Sequence, residues 1–271
     1  MRKSGEKKRP RGFFTRGIRI GLGTLLSLCL LSLAGVVSLR FLNPPFTAWM
    51  ACQWLEDRFF RASGEEPFNM PRIQWRSLKQ VSPHLVRAVL AGEDQRFLSH
   101  NGFDFIELRE AVEEMVTTRR MRGASTITMQ VARTVFLWPS RTWFRKLMEV
   151  YYTVLIELLW NKQRILEVYL NTVDWGDGIA GAESAAKGYF GKSASRLTPS
   201  EAAMLAAILP NPHAWSPTNP GTYVKERQKR ILRDMERMPS SRMLRSTQRS
   251  LPDSSVGGSL HKAEAMPDHT V

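Results

Sequence analysis

Two adjacent carboxylates, Glu93 and Asp94, stand at the end of an apolar stretch with helical spacing, and Phe97 and His100 follow them. A carboxylate beside apolar surface has a raised pKa, which suits a general base that must accept a proton near neutral pH. The alternative is a solvated, charged helix end, and the spacing alone favours that alternative. Among the histidines, His100 is the one in a candidate site, although a lone histidine is more often structural.

A second segment combines small residues with groups that bind anions. Residues 123–126 open a helix-forming stretch, in which Gln130 and Arg133 lie three residues apart and therefore on one face. Free backbone N–H groups at such a helix start, with the hydroxyls of Ser125 and Thr126 nearby, suit a phosphate. Ordinary N-capping by either hydroxyl is the alternative, and locally it is the simpler interpretation.

A third segment places Arg145 and Lys146 one helical turn before Glu149. Two cations suit a diphosphate, and the glutamate suits a metal ion or a proton. An amphipathic helix with an i,i+4 ion pair between Arg145 and Glu149 is the alternative. A fourth segment, residues 162–171, predicts a helix that leads into a glycine-rich loop.

The elements that must position these groups are helices. From Ser82 to about residue 238, apolar residues recur at spacings of three and four, and Gly and Pro separate the runs. Ser82-Pro83 and Thr198-Pro199 predict helix starts. No run alternates as a strand does, so the sequence predicts a mainly α fold. Residues 239–271 are polar, rich in Ser and poor in core residues, which predicts a disordered tail.

The composition excludes several classes of protein. The 271 residues include 39 Lys and Arg against 25 Asp and Glu, a net charge of +14, and 43% of the residues are hydrophobic. This hydrophobic content excludes a wholly disordered chain, and two cysteines exclude a disulfide scaffold. Residues 1–19 hold eight basic residues and one acidic residue, so they alone contribute +7. Because half of the excess charge precedes an apolar stretch, a nucleic-acid partner is disfavoured.

Residues 20–39 contain no charged side chain and predict a helix about 30 Å long, which matches the hydrocarbon core of a bilayer. A cleaved signal peptide, which has a shorter apolar core, and a buried core helix are the alternatives. The basic flank predicts a cytoplasmic N-terminus and an exported remainder. The predicted segments are a basic cytoplasmic segment (1–19), a transmembrane anchor (20–42), a connector (43–75), a globular domain (76–238) and the disordered tail (239–271).

Taken together and in this order, the chemical segments resemble the peptidoglycan glycosyltransferases of glycosyltransferase family 51. The resemblance covers about residues 75–220 and includes the five motifs of that family, so it is far more specific than any single motif. The short chain with one anchor is most similar to the monofunctional members. The motifs are E-D-x-x-F-x-x-H-x-G-x-D at 93–104, G-x-S-T-I-T at 123–128, R-K-x-x-E at 145–149, I-L-E-x-Y-L-N at 165–171 and L-T-P-S-E-A-A-x-L-A at 197–206.

The resemblance implies a fold and a substrate. The implied fold is a lysozyme-like all-α glycosyltransferase domain with a small membrane-associated lobe, formed by apolar residues between about Phe103 and Leu147. The implied substrate is lipid II, a disaccharide-pentapeptide on undecaprenyl diphosphate. The enzyme polymerises it into β-1,4-linked glycan with inversion and releases the diphosphate. Because the lipid tail stays in the membrane, the site must lie at the membrane surface, which accounts for the anchor.

The resemblance also implies roles for residues. Glu93 is the general base and Asp94 a neighbour that tunes it, while Glu149 holds a divalent metal, Mg²⁺ or Mn²⁺, or orients the neighbouring cations. The remaining implied substrate-binding residues are Phe97, His100, Ser125, Thr126, Gln130, Arg133, Arg145 and Lys146. The implied partners are lipid II, the growing glycan chain, the membrane and other cell-division or cell-wall synthesis proteins. The implied location is the bacterial inner membrane, with the catalytic domain in the periplasm.

Three positions, Met129, Arg133 and Thr134, depart from the family pattern, and two other functions stay open. Met129-Gln130 stands where the family has Gln-Gln, and Arg133-Thr134 stands where it has Lys-Asn. Arg binds phosphate through a planar fork whereas Lys acts as a point charge, so these changes bear on donor affinity. A lysozyme-like hydrolase or lytic transglycosylase is one alternative, although it has no diphosphate for the cations to bind. A non-enzymatic wall-binding or scaffold protein is the other, and it would tolerate the loss of both glutamates.

Overall fold

The structure of the chain, a computed structural model, describes residues 11–61, 69–118, 123–176 and 178–238. Within these residues it contains ten α-helices and no β-strand, which confirms the predicted mainly α fold. The predicted tail, 239–271, lies outside the described residues. In chain order the helices are α1 (Arg11–Phe41), α2 (Ala48–Phe60), α3 (Pro83–Glu93), α4 (Phe105–Thr118), α5 (Ile127–Phe136), α6 (Trp143–Leu159), α7 (Lys162–Thr172), α8 (Ala182–Phe190), α9 (Pro199–Ile208) and α10 (Thr222–Arg237).

Helix α1 is long and apolar enough to cross a membrane over Arg16–Phe41, where its mean hydropathy is 2.2. Only 6% of its most apolar window is buried in the protein, whereas the core helix of a soluble protein is mostly covered. The helix is consistent with the predicted single-pass anchor. It begins nine residues before the predicted boundary at residue 20, because the basic residues ahead of the apolar run continue the same helix.

The predicted connector, 43–75, contains helix α2, which the sequence pattern did not predict. The hydroxyl of Thr47 accepts the backbone N–H of Met50 at 3.2 Å, and both residues are buried. Helix α2 packs against α5, the helix that carries the predicted site residues Gln130 and Arg133. The segment after the anchor is therefore part of the globular domain and not only a link to it.

Two groups of helices form the core. Helix α9 packs between α3 and α10, and its alanine-rich sequence is buried on nearly every face. Helix α5 packs against α6 and α7, which forms the second group. The two predicted helix starts are confirmed, since Ser82 caps α3 and Thr198 opens α9 with a capping box to Glu201. The core thereby fixes the C-terminal end of α3 and the N-terminal end of α5.

Exposed apolar side chains run along α4 and α6, where the resemblance implies a membrane-associated lobe. On α4, Ala111 is the one buried residue, so this helix presents apolar side chains that the described protein does not cover. The lobe and the likeness to lysozyme stay predictions. The exposed apolar residues of the two helices are Phe105, Ile106, Leu108, Val112, Met115, Val116, Trp143, Phe144, Leu147, Val150, Val154 and Leu158.

Candidate active site

Glu93 is the last residue of α3, and two donors from other helices hold its carboxylate. Gln130 Nε2 on α5 donates to Oε2 at 3.0 Å, and Arg227 Nη2 on α10 donates to Oε1 at 3.1 Å. The Glu93 side chain is only 12% exposed. Burial raises the pKa of the Glu93 carboxyl, and the Gln130 amide and the charges of Arg227 and Arg133 lower it without cancelling the rise. The group therefore has the raised pKa that suits a general base.

Tyr169 fixes the orientation of the Gln130 amide. Its hydroxyl donates to Gln130 Oε1 at 3.2 Å, which leaves the amide nitrogen of Gln130 to donate to Glu93. Burial raises the pKa of Tyr169 well above 10, and the charge of Glu93 raises it further. The hydroxyl consequently stays protonated at neutral pH, and the chain from Tyr169 to Glu93 keeps one direction of hydrogen bonding.

Asp94 joins the end of α3 to the beginning of α5. Its Oδ2 accepts the backbone N–H of Ile127 at 3.0 Å, and its Oδ1 lies 2.9 Å from His100 Nε2. Phe97 is fully buried, with its ring edge-on to His100 and Lys162 Nζ 4.5 Å from its centroid. These three predicted site residues therefore support the geometry around Glu93, and direct contact with substrate stays a prediction for them.

The start of α5 is capped by the protein itself. Thr126 Oγ1 accepts the Met129 N–H at 3.2 Å and donates to the Gly102 carbonyl at 2.6 Å. Thr126 therefore caps α5, as the capping alternative has it, and Asp94 accepts a further N–H of the first turn, that of Ile127. Ser125 precedes the cap and is half-buried. Substrate binding by the two hydroxyls stays a prediction.

Glu149 on α6 holds two cations of its own helix. Arg145 Nη1 lies 3.0 Å from Oε2, Lys146 Nζ lies 2.7 Å from Oε1, and the glutamate is completely buried. Thr142 caps the start of the helix, since its hydroxyl accepts the Arg145 N–H at 3.2 Å. The structure contains the Arg145–Glu149 pair of the alternative interpretation, and Glu149 orients both cations through its pairs with Arg145 and Lys146.

The metal prediction can be compared with the ligands that these residues offer. Both Glu149 oxygens already accept from cations, so a metal there would have to displace an ion pair. Among the described residues, Asp94, His100 and Asp104 offer ligand atoms within 4.8 Å of one another. Asp104, however, accepts from Arg96 Nε at 2.7 Å and from two backbone N–H groups at the start of α4. Neither set fits a divalent metal as it stands, and metal binding stays a prediction.

A cavity of about 510 Å³ is lined by three arginines, Arg133, Arg141 and Arg145, together with Trp49 and Asp174. Arg133 connects this cavity with Glu93, because its charge also lowers the pKa of the Glu93 carboxyl. Such a cavity suits a di-anion such as a diphosphate, because several guanidinium groups converge on it.

The chain is similar to known proteins over most of its length. A model of the transglycosylase family matches residues 64–236. The chain belongs to the transglycosylase family. It is thus a glycosyltransferase enzyme, as the motif resemblance implies.

Several relatives of this transglycosylase carry the name biosynthetic peptidoglycan transglycosylase. The relative from Shewanella oneidensis is 45% identical over 214 residues, 79% of this chain and 89% of its own length. The relative from Rhodospirillum centenum is 46% identical over 220 residues, 81% of this chain and 91% of its own. The relative from Xanthomonas campestris pv. campestris is 43% identical over 233 residues, 86% of this chain and 93% of its own.

The structure adds residues of this transglycosylase that the motifs did not point to. Arg227 touches the predicted base, Tyr169 orients Gln130, and Trp49 and Arg141 line the cationic cavity. The one local signal for Arg227 is its position three residues after the buried Val224, on the core-facing side of α10. A cation on a buried helix face needs an anionic partner, although spacing cannot name it.

Proposed function

We propose that the protein polymerises lipid II into β-1,4-linked glycan and releases undecaprenyl diphosphate. The proposal rests on the relatives named biosynthetic peptidoglycan transglycosylase and on one observation in this chain: a buried glutamate with a raised pKa beside an arginine-lined cavity. The glutamate can activate a hydroxyl, and the arginine-lined cavity can bind a diphosphate. A hydrolase of the same polymer needs the glutamate but has no diphosphate to bind.

Glu93 is the general base of the proposed reaction. The attacking sugar 4-hydroxyl is far too weak an acid to ionise at neutral pH, so a base must take its proton as the new bond forms. Gln130 and Arg227 hold the carboxylate from two sides and fix its position for that transfer. The raised pKa of Glu93 makes it a stronger base than an exposed glutamate.

The leaving group is a diphosphate, which departs as an anion and needs cations more than it needs a proton. Arg133, Arg141 and Arg145 are placed to stabilise the charge that develops on it. Glu149 keeps Arg145 and Lys146 oriented by pairing with both. In this role Glu149 positions the cations and does not itself contact the reacting atoms.

Direct displacement at the anomeric carbon inverts it and gives a β-linked product from an α-linked donor. A retaining enzyme would need a second carboxylate as nucleophile. Glu149 is a poor nucleophile, because it is completely buried and each of its oxygens is paired with a cation. The arrangement therefore favours a single inverting step with Glu93 as the one acting carboxylate.

The apolar helix α1 supports a single-pass location in the bacterial inner membrane, with the N-terminus in the cytoplasm and the catalytic domain in the periplasm. The lipid-linked substrate and the growing glycan are the proposed partners there. Other cell-division or cell-wall synthesis proteins are proposed as further partners, and cell shape as the process that the glycan serves. The proposed location follows from the lipid tail of the substrate, which keeps the substrate in a membrane.

The test of the proposed function is glycan synthesis from purified lipid II by the full-length protein in detergent. We expect Glu93→Gln to lower polymerisation at least about a hundredfold, because an amide cannot accept the proton. Glu113→Gln on α4, an exposed glutamate, is the matched control and should keep full activity. Full activity of Glu93→Gln would remove Glu93 as the base, and cleavage of glycan in place of synthesis would identify a lytic enzyme.

Metal dependence is tested in the same assay by adding a chelator and then Mg²⁺ or Mn²⁺. Because Arg145 and Lys146 occupy both oxygens of Glu149, we expect glycan synthesis to persist at about its full rate in the chelator. Loss of activity in the chelator, restored by either metal, would place a metal at the diphosphate. That outcome would reassign Glu149 from a partner of cations to a metal ligand.

A further inference from the structure

Arg164, which stands just ahead of the fourth motif on α7, holds the end of helix α1. Its Nε donates to the Leu39 carbonyl at 3.0 Å, its Nη1 donates to Asn43 Oδ1 at 2.8 Å, and its Nη2 donates to the carbonyls of Leu39 and Leu42. Leu39 lies in the last turn of α1, where carbonyl groups have no partner within the helix. The guanidinium group supplies such partners, and its charge is favourable at the negative end of the helix dipole.

The guanidinium group of Arg164 is buried and is held by the domain as well. Its side chain is 12% exposed, Glu167 Oε1 accepts from Nη1 at 3.1 Å, and the rings of Trp75 and Trp160 lie 5.2 and 6.0 Å from the guanidinium carbon. Burial lowers the pKa of Arg164, while the charge of Glu167 and its hydrogen bond raise it. Because a guanidinium group stays charged in proteins, its hydrogen bonds to α1 are charge-assisted and have a fixed, planar geometry.

Helix α7 continues from this contact into the candidate active site. Tyr169, on the same helix, orients the Gln130 amide that holds Glu93. Glu167 Oε2 also accepts the backbone N–H of Leu78, just ahead of α3, whose last residue is Glu93. One short helix therefore joins the end of α1 to the residues that position the proposed base.

The angle between α1 and the domain needs such a hold. Residues 42–47 connect α1 to α2, and a short connection of this kind fixes a distance but not an angle. The tilt and rotation of a membrane helix are set by its packing against neighbours. The Ser32–Tyr151 contact provides packing within the span, and Arg164 provides it where the span ends. Because a lipid-linked substrate is held by its tail in the same membrane, this angle decides where the arginine-lined cavity stands relative to the substrate.

We propose that Arg164 is a positioning residue, which fixes the end of α1 against the catalytic domain so that the arginine-lined cavity faces the diphosphate of a substrate embedded in the same membrane. The inference rests on the proposed function and location, because a fixed angle matters only for a substrate that the membrane holds. Arg164 is not among the described residues that line the cavity, so it acts through α1 and not on the reacting atoms. Its loss should slow the reaction in a bilayer and spare it in micelles.

The test measures glycan synthesis from lipid II by the full-length protein in phospholipid vesicles and in detergent micelles. We expect Arg164→Met, which keeps the apolar stem and removes every donor, to lower the rate in vesicles about tenfold and the rate in micelles by less than about twofold. Arg164→Lys should lose less in vesicles, because it keeps the charge but not the planar fork. Arg196→Gln, an exposed arginine ahead of α9, is the matched control and should keep both rates. The micelle rate also shows that each variant is folded.

A covalent link should replace the guanidinium group. The background for this experiment has Cys29 and Cys52 changed to Ser. In it, Arg164→Cys and Asn43→Cys are joined by a short bismaleimide, because the two native side chains are in contact. We expect the linked protein to recover most of the vesicle rate, and the same protein without the linker to stay as slow as Arg164→Met.

Spin labels test the hold on α1 without glycan synthesis. In the same background, labels at Phe41→Cys, the last residue of α1, and at Tyr223→Cys on α10 report the distance between α1 and the domain, and both positions are exposed. We expect one narrow distance distribution when Arg164 is present and a broader one in Arg164→Met.

Several outcomes would overturn the inference: equal loss of rate in vesicles and micelles, an unchanged vesicle rate in Arg164→Met, or a linked protein as slow as the unlinked one. Equally narrow distance distributions with and without Arg164 would also overturn it. If the wild type made no glycan in either setting, the proposed function would fall. The distance distributions would then still decide whether Arg164 fixes α1 against the domain.

Discussion

At the scale of single residues, the proposed role of Glu93 as general base leads to a prediction about the pH dependence of the reaction. Burial raises the pKa of its carboxyl, while the Gln130 amide and the charges of Arg227 and Arg133 lower it. The buried Tyr169 and the neighbouring Asp94 are the other titratable groups close to it. Because only the ionised carboxylate accepts a proton, the rate falls as the pH drops through this raised pKa. If Glu93 is the base, we therefore expect activity to be lost at a higher pH than an exposed glutamate would give.

Arg227 is the residue whose replacement tests this balance. In Arg227→Gln the positive charge is lost, so the pKa of Glu93 rises further and the acid limb of the kcat profile moves to higher pH. Arg227→Lys keeps the charge and should shift the limb less. The exposed Arg230 on the same helix, changed to Gln, provides the control. A loss of kcat that is equal at every pH would mean that Arg227 is only structural.

At the scale of helices, local pattern predicted most elements and long-range packing supplied the rest. The helix starts at Ser82 and Thr198 followed from capping residues, because a cap depends only on its neighbours. Helix α2 was missed because its apolar residues gain their partner, α5, from far along the chain. The same reason hid Arg227, since no spacing within α10 tells that this helix returns to the end of α3.

Glu183 shows how one carboxylate ties helix α8 to its surroundings. It accepts from Arg76 Nη2 at 3.0 Å, from the Ala194 N–H at 3.0 Å and from the Ser193 hydroxyl at 3.1 Å. Burial alone would raise its pKa, but these bonds and the charge of Lys187 lower the pKa to about 2. The folded state therefore binds fewer protons than the unfolded state between about pH 2 and 4.5.

The sign of that difference predicts a pH-dependent loss of stability. Above pH 4.5 the ionised Glu183 stabilises the fold in full, and the contribution disappears as the pH falls towards 2. We expect Glu183→Gln to lower the free energy of unfolding at pH 7 by about 1–2 kcal/mol, a value reduced because its cationic partners are partly exposed. Denaturant unfolding in detergent at pH 7, 5 and 3 measures it. A difference from the wild type that does not shrink at pH 3 would contradict the assignment.

At the scale of the whole molecule, side-chain hydrogen bonds join helix α1 to the rest of the domain. The hydroxyls of Ser32 and Tyr151 lie 2.7 Å apart, and Trp160 Nε1 donates to the Val36 carbonyl at 2.8 Å. Arg164 of α7 donates to the carbonyls of Leu39, in the last turn of α1, and of Leu42, the residue after α1. The Ser32–Tyr151 contact and the packing of α6 against α1 hold α6 beside the last ten residues of α1, about 15 Å of helix. Half of a hydrocarbon core of about 30 Å has that thickness.

If α1 spans the bilayer, α6 therefore lies beside it within the outer leaflet, and its exposed apolar side chains meet lipid. This is tested in the full-length protein with Cys29 and Cys52 changed to Ser and one environment-sensitive label at Val154→Cys on α6. We expect lipids brominated on their acyl chains to quench that label strongly, and a second label at Val116→Cys on α4 to behave alike if α4 belongs to the same lobe. A label at Tyr223→Cys on the charged helix α10 should be quenched little. Equal quenching at positions 154 and 223 would place α6 outside the lipid. The lipid-linked substrate would then have to leave the bilayer to reach the arginine-lined cavity.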